Sequence, residues 1–204
     1  MTVTLTGRSS SHFTRTARIF AHECGVSYRF RPVLDLMSRT SADYGDNPAL
    51  RLPVLETKEG PLFGTLNICR ELARRGSREL RVVWPEQCHD LLALNAQELV
   101  LQGMSSVVIM IMSGAQPAGG YADKARQSLT DSLAWLEARL PEVLRALPAE
   151  RDLSFLEVSC FCFIEHLGFR KVLDVSEYTE LLAFCRTYGA RDSARETAYK
   201  FDAA

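Results

Sequence analysis

The chain has 204 residues, 47% of them hydrophobic and 24% charged, with a formal net charge of -1. That composition describes a folded globular protein, long enough for one large core or two smaller ones, and excludes a disordered chain. A charge this close to zero supplies no field for gathering nucleic acid or anionic lipid, so neither is expected as a partner.

The opening MTVTLTGRSS has no basic-then-apolar leader. The most apolar run, VVIMIM at 107–112, is short of the roughly 20 residues that span a bilayer. A cytoplasmic protein is therefore expected. The six cysteines form no CxxC pair and read as reduced thiols. Cys160 and Cys162 fall on different sides of a helix, and the histidines show no ligand spacing, so no metal site is expected.

In chain order, Thr2–Leu5 reads as a short strand and Phe13–Cys24 as a helix closed by Gly25. Tyr28–Val33 reads as a second strand. Pro53–Leu55 and Pro61–Phe63 flank the turn signal Lys58-Glu59-Gly60, and Leu66–Arg74 returns to helical spacing. Strand, helix, strand, hairpin and helix describe an α/β layer of mixed strand direction over 1–76. The charged, irregular stretch 77–84 is the expected linker, and 85–204 the expected all-helical domain. There Pro85 suits the first turn of a helix running towards Met112, and SGAQPAGG breaks it. Leu129, Leu133, Leu136, Leu140 and Leu144 mark the next helix, with Pro141 a kink or a new start. Ser154–Gly168 and Glu177–Tyr188 follow as helices.

Between the first strand and the first helix lies SSSHF, 9–13. By itself such a segment is a polar loop whose serine caps the helix. Further along stand NPALRLPVL (47–55), SFLE (154–157) and RDSARET (191–197). The first resembles the NP-x-x-x-x-P-V-L segment of cytosolic glutathione S-transferases, and the second that family's capping box in the helical domain. The third is similar to the R-P-S-x-x-x-T ending of many bacterial members, with Asp192 in place of the proline. The resemblance implies a thioredoxin-like N-terminal domain with a mixed sheet, an all-α C-terminal domain, glutathione as co-substrate, a small hydrophobic electrophile as partner, and a homodimer.

It also implies roles for particular residues. Pro53 would follow a cis bond, and the backbone of Val54 would pair with the cysteinyl amide of glutathione. Ser11 aligns with the hydroxyl of serine-type members, the zeta and theta groups. It would donate to a thiolate at the start of the first helix, where free amides favour an anion. A hydrogen bond to a charged acceptor contributes about 1.5–3 kcal/mol, which lowers a thiol pKa by roughly one to two units. Ser9 and Ser10 are rivals for that place, and Ser10, His12 and Phe13 are further candidate contacts. His12 stands where the family has proline or a small residue; it either bonds the ligand or faces solvent, the second being expected. Thr65 keeps a hydroxyl for the γ-glutamyl carboxylate, but Gly64 stands where the family has an acid for the ammonium. Asn67, Glu71 or a neighbouring subunit are the available compensations. The electrophile is expected against Leu99–Met112, with Met104, Met110 and Met112 as soft lining or plain core. A non-catalytic interaction module on the same fold is the alternative.

Overall fold

Residues 2–113 and 121–203 are described by a computed structural model of the chain, which divides into Met1–Leu80 with Arg191–Ala204 and, separately, Arg81–Ala190. The SGAQPAGG break lies, from 114 to 120, outside the described residues.

The first unit is built on a four-stranded sheet of β1 (Val3–Gly7), β2 (Tyr28–Pro32), β3 (Val54–Thr57) and β4 (Gly60–Phe63), in the order β2-β1-β3-β4. β1 and β2 are parallel, while β3 is antiparallel to both β1 and β4. Helices α1 (His12–Glu23) and α2 (Thr65–Arg75) pack on each other. The apolar positions of these short elements, Leu5, Ile19, Phe20, Leu55, Ile68 and Leu72, are buried together as the core. α1 ends as its sequence predicts. Gly25 takes φ 69°, the Gly25 amide donates to His22 O at 3.1 Å, and the Val26 amide donates to Ala21 O at 2.8 Å. That pair of bonds is a Schellman closure. A polar network spans three strands, with Arg31 donating to Thr6 Oγ1 at 2.9 Å and to Glu56 Oε1 at 2.8 Å. Thr6, although polar, is fully buried there.

Among its described residues, the second unit is helical apart from one short parallel pairing. β5 (Val82–Val83) lies inside the stretch expected to be a linker and pairs with β6 (Leu153–Ser154). Pro85–Gln87 makes only a short 3-10 turn. The long helix α3 (Leu91–Ser113) starts later than expected, after Asp90, whose Oδ1 accepts from the Leu92 amide at 2.8 Å. α4 (Tyr121–Ala146) continues through Pro141 without a new start. Its buried stripe is Leu129, Leu133, Leu136, Leu140 and Val143, continued just past its end by Leu147. Leu144 falls one position off that three-and-four spacing and is only half-buried. α5 (Phe155–Arg170) is buried along most of its surface and packs on both α3 and α6 (Thr179–Tyr188). The Ser154 Oγ accepts from the Glu157 amide at 3.3 Å, as a cap should. The Glu157 carboxylate, expected to reach back to Ser154, is gripped by Arg151 through Nε at 2.8 Å and Nη2 at 2.9 Å.

Taken over Leu91–Met112, α3 has mean hydropathy 1.3, long and apolar enough to cross a membrane by composition alone. It instead packs on α4 and α5, burying Ala93, Ala96, Val100, Met104 and Val107. Met104 is therefore core and not ligand lining, while Met112 is half-exposed.

The last departure concerns the C-terminal segment. The sequence reading placed 191–204 with the helices, but α7 (Asp192–Glu196) and the residues after it belong to the first unit. Ser193 Oγ donates to Glu23 Oε1 at 2.6 Å, and Arg191 Nη1 donates to the same oxygen at 3.2 Å. Asp192 occupies the first helical position, where the related endings carry a proline.

Candidate functional site

Strand register brings the candidate residues to one end of the sheet. Val54, the first residue of β3, lies opposite Thr6 near the end of β1 and opposite Phe63 at the end of β4. From Thr6 the chain runs through Gly7 and the serines to Ser11; from Phe63 it passes Gly64 to Thr65. Neighbouring strands lie about 4.8 Å apart, so the starts of α1, β3 and α2 share one rim. Both helices have their N-termini there, and their unpaired amides favour an anion.

The Leu52–Pro53 bond is cis, as the resemblance implied, and it leads directly into Val54. Pro53 and Val54 are both buried.

Ser11 is the N-cap of α1, with φ -101° and ψ 128°, and its Oγ accepts from the Thr14 amide at 3.3 Å. The capping reading of this serine is thus correct. It does not compete with a ligand role, because the cap uses a lone pair and leaves the hydroxyl proton to donate. The three serines separate by exposure. Ser9 is 2% exposed and Ser10 5%, whereas Ser11 is only half-buried. A ligand arriving from solvent meets Ser11 first. Ser9 and Ser10 lie at the centre of a turn closed by the Ser11 amide donating to Arg8 O at 3.0 Å.

His12 corrects the expectation. It is 1% exposed rather than solvent-facing, and its ring lies edge-on to Phe13 with centroids 4.5 Å apart. An imidazole has enough apolar surface to pack inward, and the next ring covers it. What His12 offers the rim is the backbone amide at the first position of α1; Phe13 is half-buried.

At α2, Thr65 is the first helical residue and Gly64 the cap, with φ 84° and ψ 127°. Side chains rarely adopt that φ, which accounts for glycine there in local terms. Of the two compensations within the chain, Glu71 is engaged elsewhere, whereas Asn67 is held through its donor nitrogen and keeps its Oδ1 as a neutral acceptor. Asn67 Nδ2 donates to Phe63 O at 3.1 Å. Glu71 accepts from Arg74 Nε at 2.7 Å and Arg75 Nε at 2.5 Å. Arg74 and then Arg75 hold the Glu71 carboxyl below its ordinary value against the opposing effect of burial.

Cysteine chemistry has no place at this rim. All six cysteines are buried and free. Burial raises the Cys24 thiol to about 11 and the Cys160 thiol to about 12, so neither is a ready nucleophile. Among the described residues no group of three or more His, Cys, Asp or Glu could hold a metal ion.

A mixed sheet with a cis-proline entry to β3 and two helix N-termini at one end defines a thioredoxin-like domain. Residues 10–75 match the glutathione S-transferase N-terminal domain family, and this domain belongs to it. The whole chain has the glutathione S-transferase fold: a structure from Methylobacillus flagellatus with glutathione bound superposes with TM-score 0.76, at 19% identity, over 98% of this chain and 100% of that one. A transferase from Methylobacterium radiotolerans in complex with glutathione sulfonate gives 0.75 at 18% identity, over 100% and 98% of the two chains. A family member from Pseudomonas fluorescens with bound glutathione gives 0.74 at 20%, over 98% and 100%. A search of curated proteins finds no match.

Proposed function

We propose that this protein is a cytoplasmic, serine-type glutathione transferase of the zeta or theta kind, acting as a homodimer. The convergence of Ser11, Val54 and Thr65 on one rim carries the reading. The Val54 backbone would pair with the cysteinyl amide of glutathione, and the first amides of α2 with Thr65 would take its γ-glutamyl carboxylate. The thiol then points to the start of α1, where the Ser11 hydroxyl donates a hydrogen bond to the thiolate and keeps its proton; the serine attacks nothing. Ser10 supports the turn, and the backbone of His12 and Phe13 adds helix amides. Activation and proximity supply the catalysis, and a small hydrophobic electrophile accepts the sulfur.

The donor set fits a thiolate and a carboxylate better than an ammonium. Gly64 brings no acid, Glu71 is already engaged by arginines, and Asn67 has only a neutral acceptor oxygen in place of a carboxylate. Loss of one charge-assisted partner weakens glutathione binding by about 1.5–3 kcal/mol, roughly tenfold to a hundredfold. That gap favours a second reading, a non-catalytic ligand-binding or interaction module.

Retention on a glutathione column, with thiolate absorbance appearing on mixing with glutathione near neutral pH, separates the two. Retention with absorbance supports the transferase. No retention and no absorbance refutes it in favour of the module.

A further inference from the structure

The C-terminal segment runs along α1 in the opposite direction. At the far end of the helix, Ser193 and Arg191 grip Glu23, and Glu196 Oε2 lies 3.3 Å from His22 Nε2. Further along, Arg15 donates through Nη2 to Ala194 O at 3.1 Å, and its guanidinium lies 4.2 Å from the centre of the Tyr199 ring. At the near end, the Ser9 amide donates to Asp202 Oδ2 at 2.8 Å.

That last bond answers a local need. In the turn closed from Ser11 to Arg8, the first central amide, that of Ser9, has no partner within the turn. Ser9 is 2% exposed, so water is a poor substitute, and a buried amide must be satisfied. Asp202 supplies the acceptor from 193 residues away in sequence. The turn it holds is the one that delivers Ser11 to the start of α1.

We propose that Asp202 is a positioning residue for the thiol site, fixing the Ser9–Ser11 turn through the Ser9 amide while Arg15 and Tyr199 hold the strap that carries it. This role rests on the transferase reading for its consequence in catalysis, but the hold on the turn does not. Hydrogen exchange of the Ser9 amide in the full chain tests the hold without glutathione. Asp202→Ala should speed exchange about tenfold to a hundredfold, the loss of one charge-assisted bond, and Asp202→Asn, which keeps an acceptor oxygen, should recover most of the protection. Unchanged exchange in Asp202→Ala overturns the proposal whether or not glutathione binds. Titration of the bound thiol by its thiolate absorbance tests the consequence. Asp202→Ala should raise its midpoint by about half a unit to one unit, with Asp202→Asn close to wild type. An unchanged midpoint with only a lower melting temperature makes the strap purely structural and overturns the positioning role. A lowered midpoint in both variants also overturns it, since the carboxylate would then act by opposing the thiolate's charge. Failure of the wild type to bind glutathione refutes the transferase reading and leaves the exchange result to decide the hold.

Discussion

Replacing Ser11 with alanine removes a helix cap and a hydroxyl donor together, and a second substitution separates them. The cap bond from the Thr14 amide is 3.3 Å, at the long end for N–H···O, which places its loss at the low end of the capping range, about 0.5–1 kcal/mol. In a chain of this size that corresponds to a fall in melting temperature of about 1–4 °C. Glycine at the same position costs only a few tenths of a kcal/mol as a cap, yet lacks the hydroxyl just as alanine does. Both Ser11→Ala and Ser11→Gly should therefore raise the pKa of bound glutathione by about one to two units, while only alanine lowers stability measurably. Thiolate absorbance against pH, alongside thermal unfolding of each variant, gives both quantities. A thiol pKa unchanged in both variants refutes the donor role of Ser11. A pKa that follows stability, shifting in alanine but not in glycine, also refutes it, because the shift would then come from a frayed helix end.

Gly64→Glu should restore an acid for the γ-glutamyl ammonium. A Cβ there meets only Asn67 Nδ2 at 3.5 Å, but φ 84° costs a side chain about 1–3 kcal/mol; calorimetry should show tighter glutathione binding, up to tenfold or more, in a less stable protein. Glu137 of α4 caps α6, its Oε1 accepting from the Glu180 amide at 2.9 Å and its Oε2 from the Leu181 amide at 3.0 Å. Glu137→Ala should cost about 1–2 kcal/mol in denaturant unfolding, and Glu137→Gln about half as much. The ion pairs of Arg75 with Glu59 and Glu71 predict a pH response. Hydrogen bonding to Arg75 is the main reason the Glu59 carboxyl falls from 4.5 to about 2. A depressed carboxyl stabilises the fold fully above its unfolded value and loses that contribution as pH falls through the folded value. The α2 amides should therefore lose exchange protection between about pH 4.5 and 2 in the wild type and show a smaller step in Arg75→Met, where Arg74 still holds Glu71.

Much of the local structure was legible in the sequence, because caps and helix ends are decided by atoms a few residues apart. Ser11 and Ser154 cap the helices their positions announce, Gly25 closes α1, and the two-residue turn at Lys58-Glu59 joins β3 to β4. The cis bond before Pro53 followed from the likeness of NPALRLPVL to a known family. The start of α3 was misplaced because Asp90, not Pro85, supplies its cap, and a proline marks a helix start only by permission.

What only tertiary structure decided lies between residues far apart in the chain. No local signal says that His12 turns inward, since an imidazole suits surface or core and its neighbours settle which. Nor does any pattern show that Glu71 is taken up by arginines and that Asn67 turns its amide nitrogen to Phe63, or that the rim joins the ends of β1 and β4 across Val54. The return of 191–203 along α1 was the least legible feature. Its bonds to Glu23, Arg15 and Ser9 each join residues more than 160 positions apart. Sequence alone determined that a serine would begin the first helix and offer a hydroxyl there. The fold decided which serine meets solvent, because packing buries two of the three.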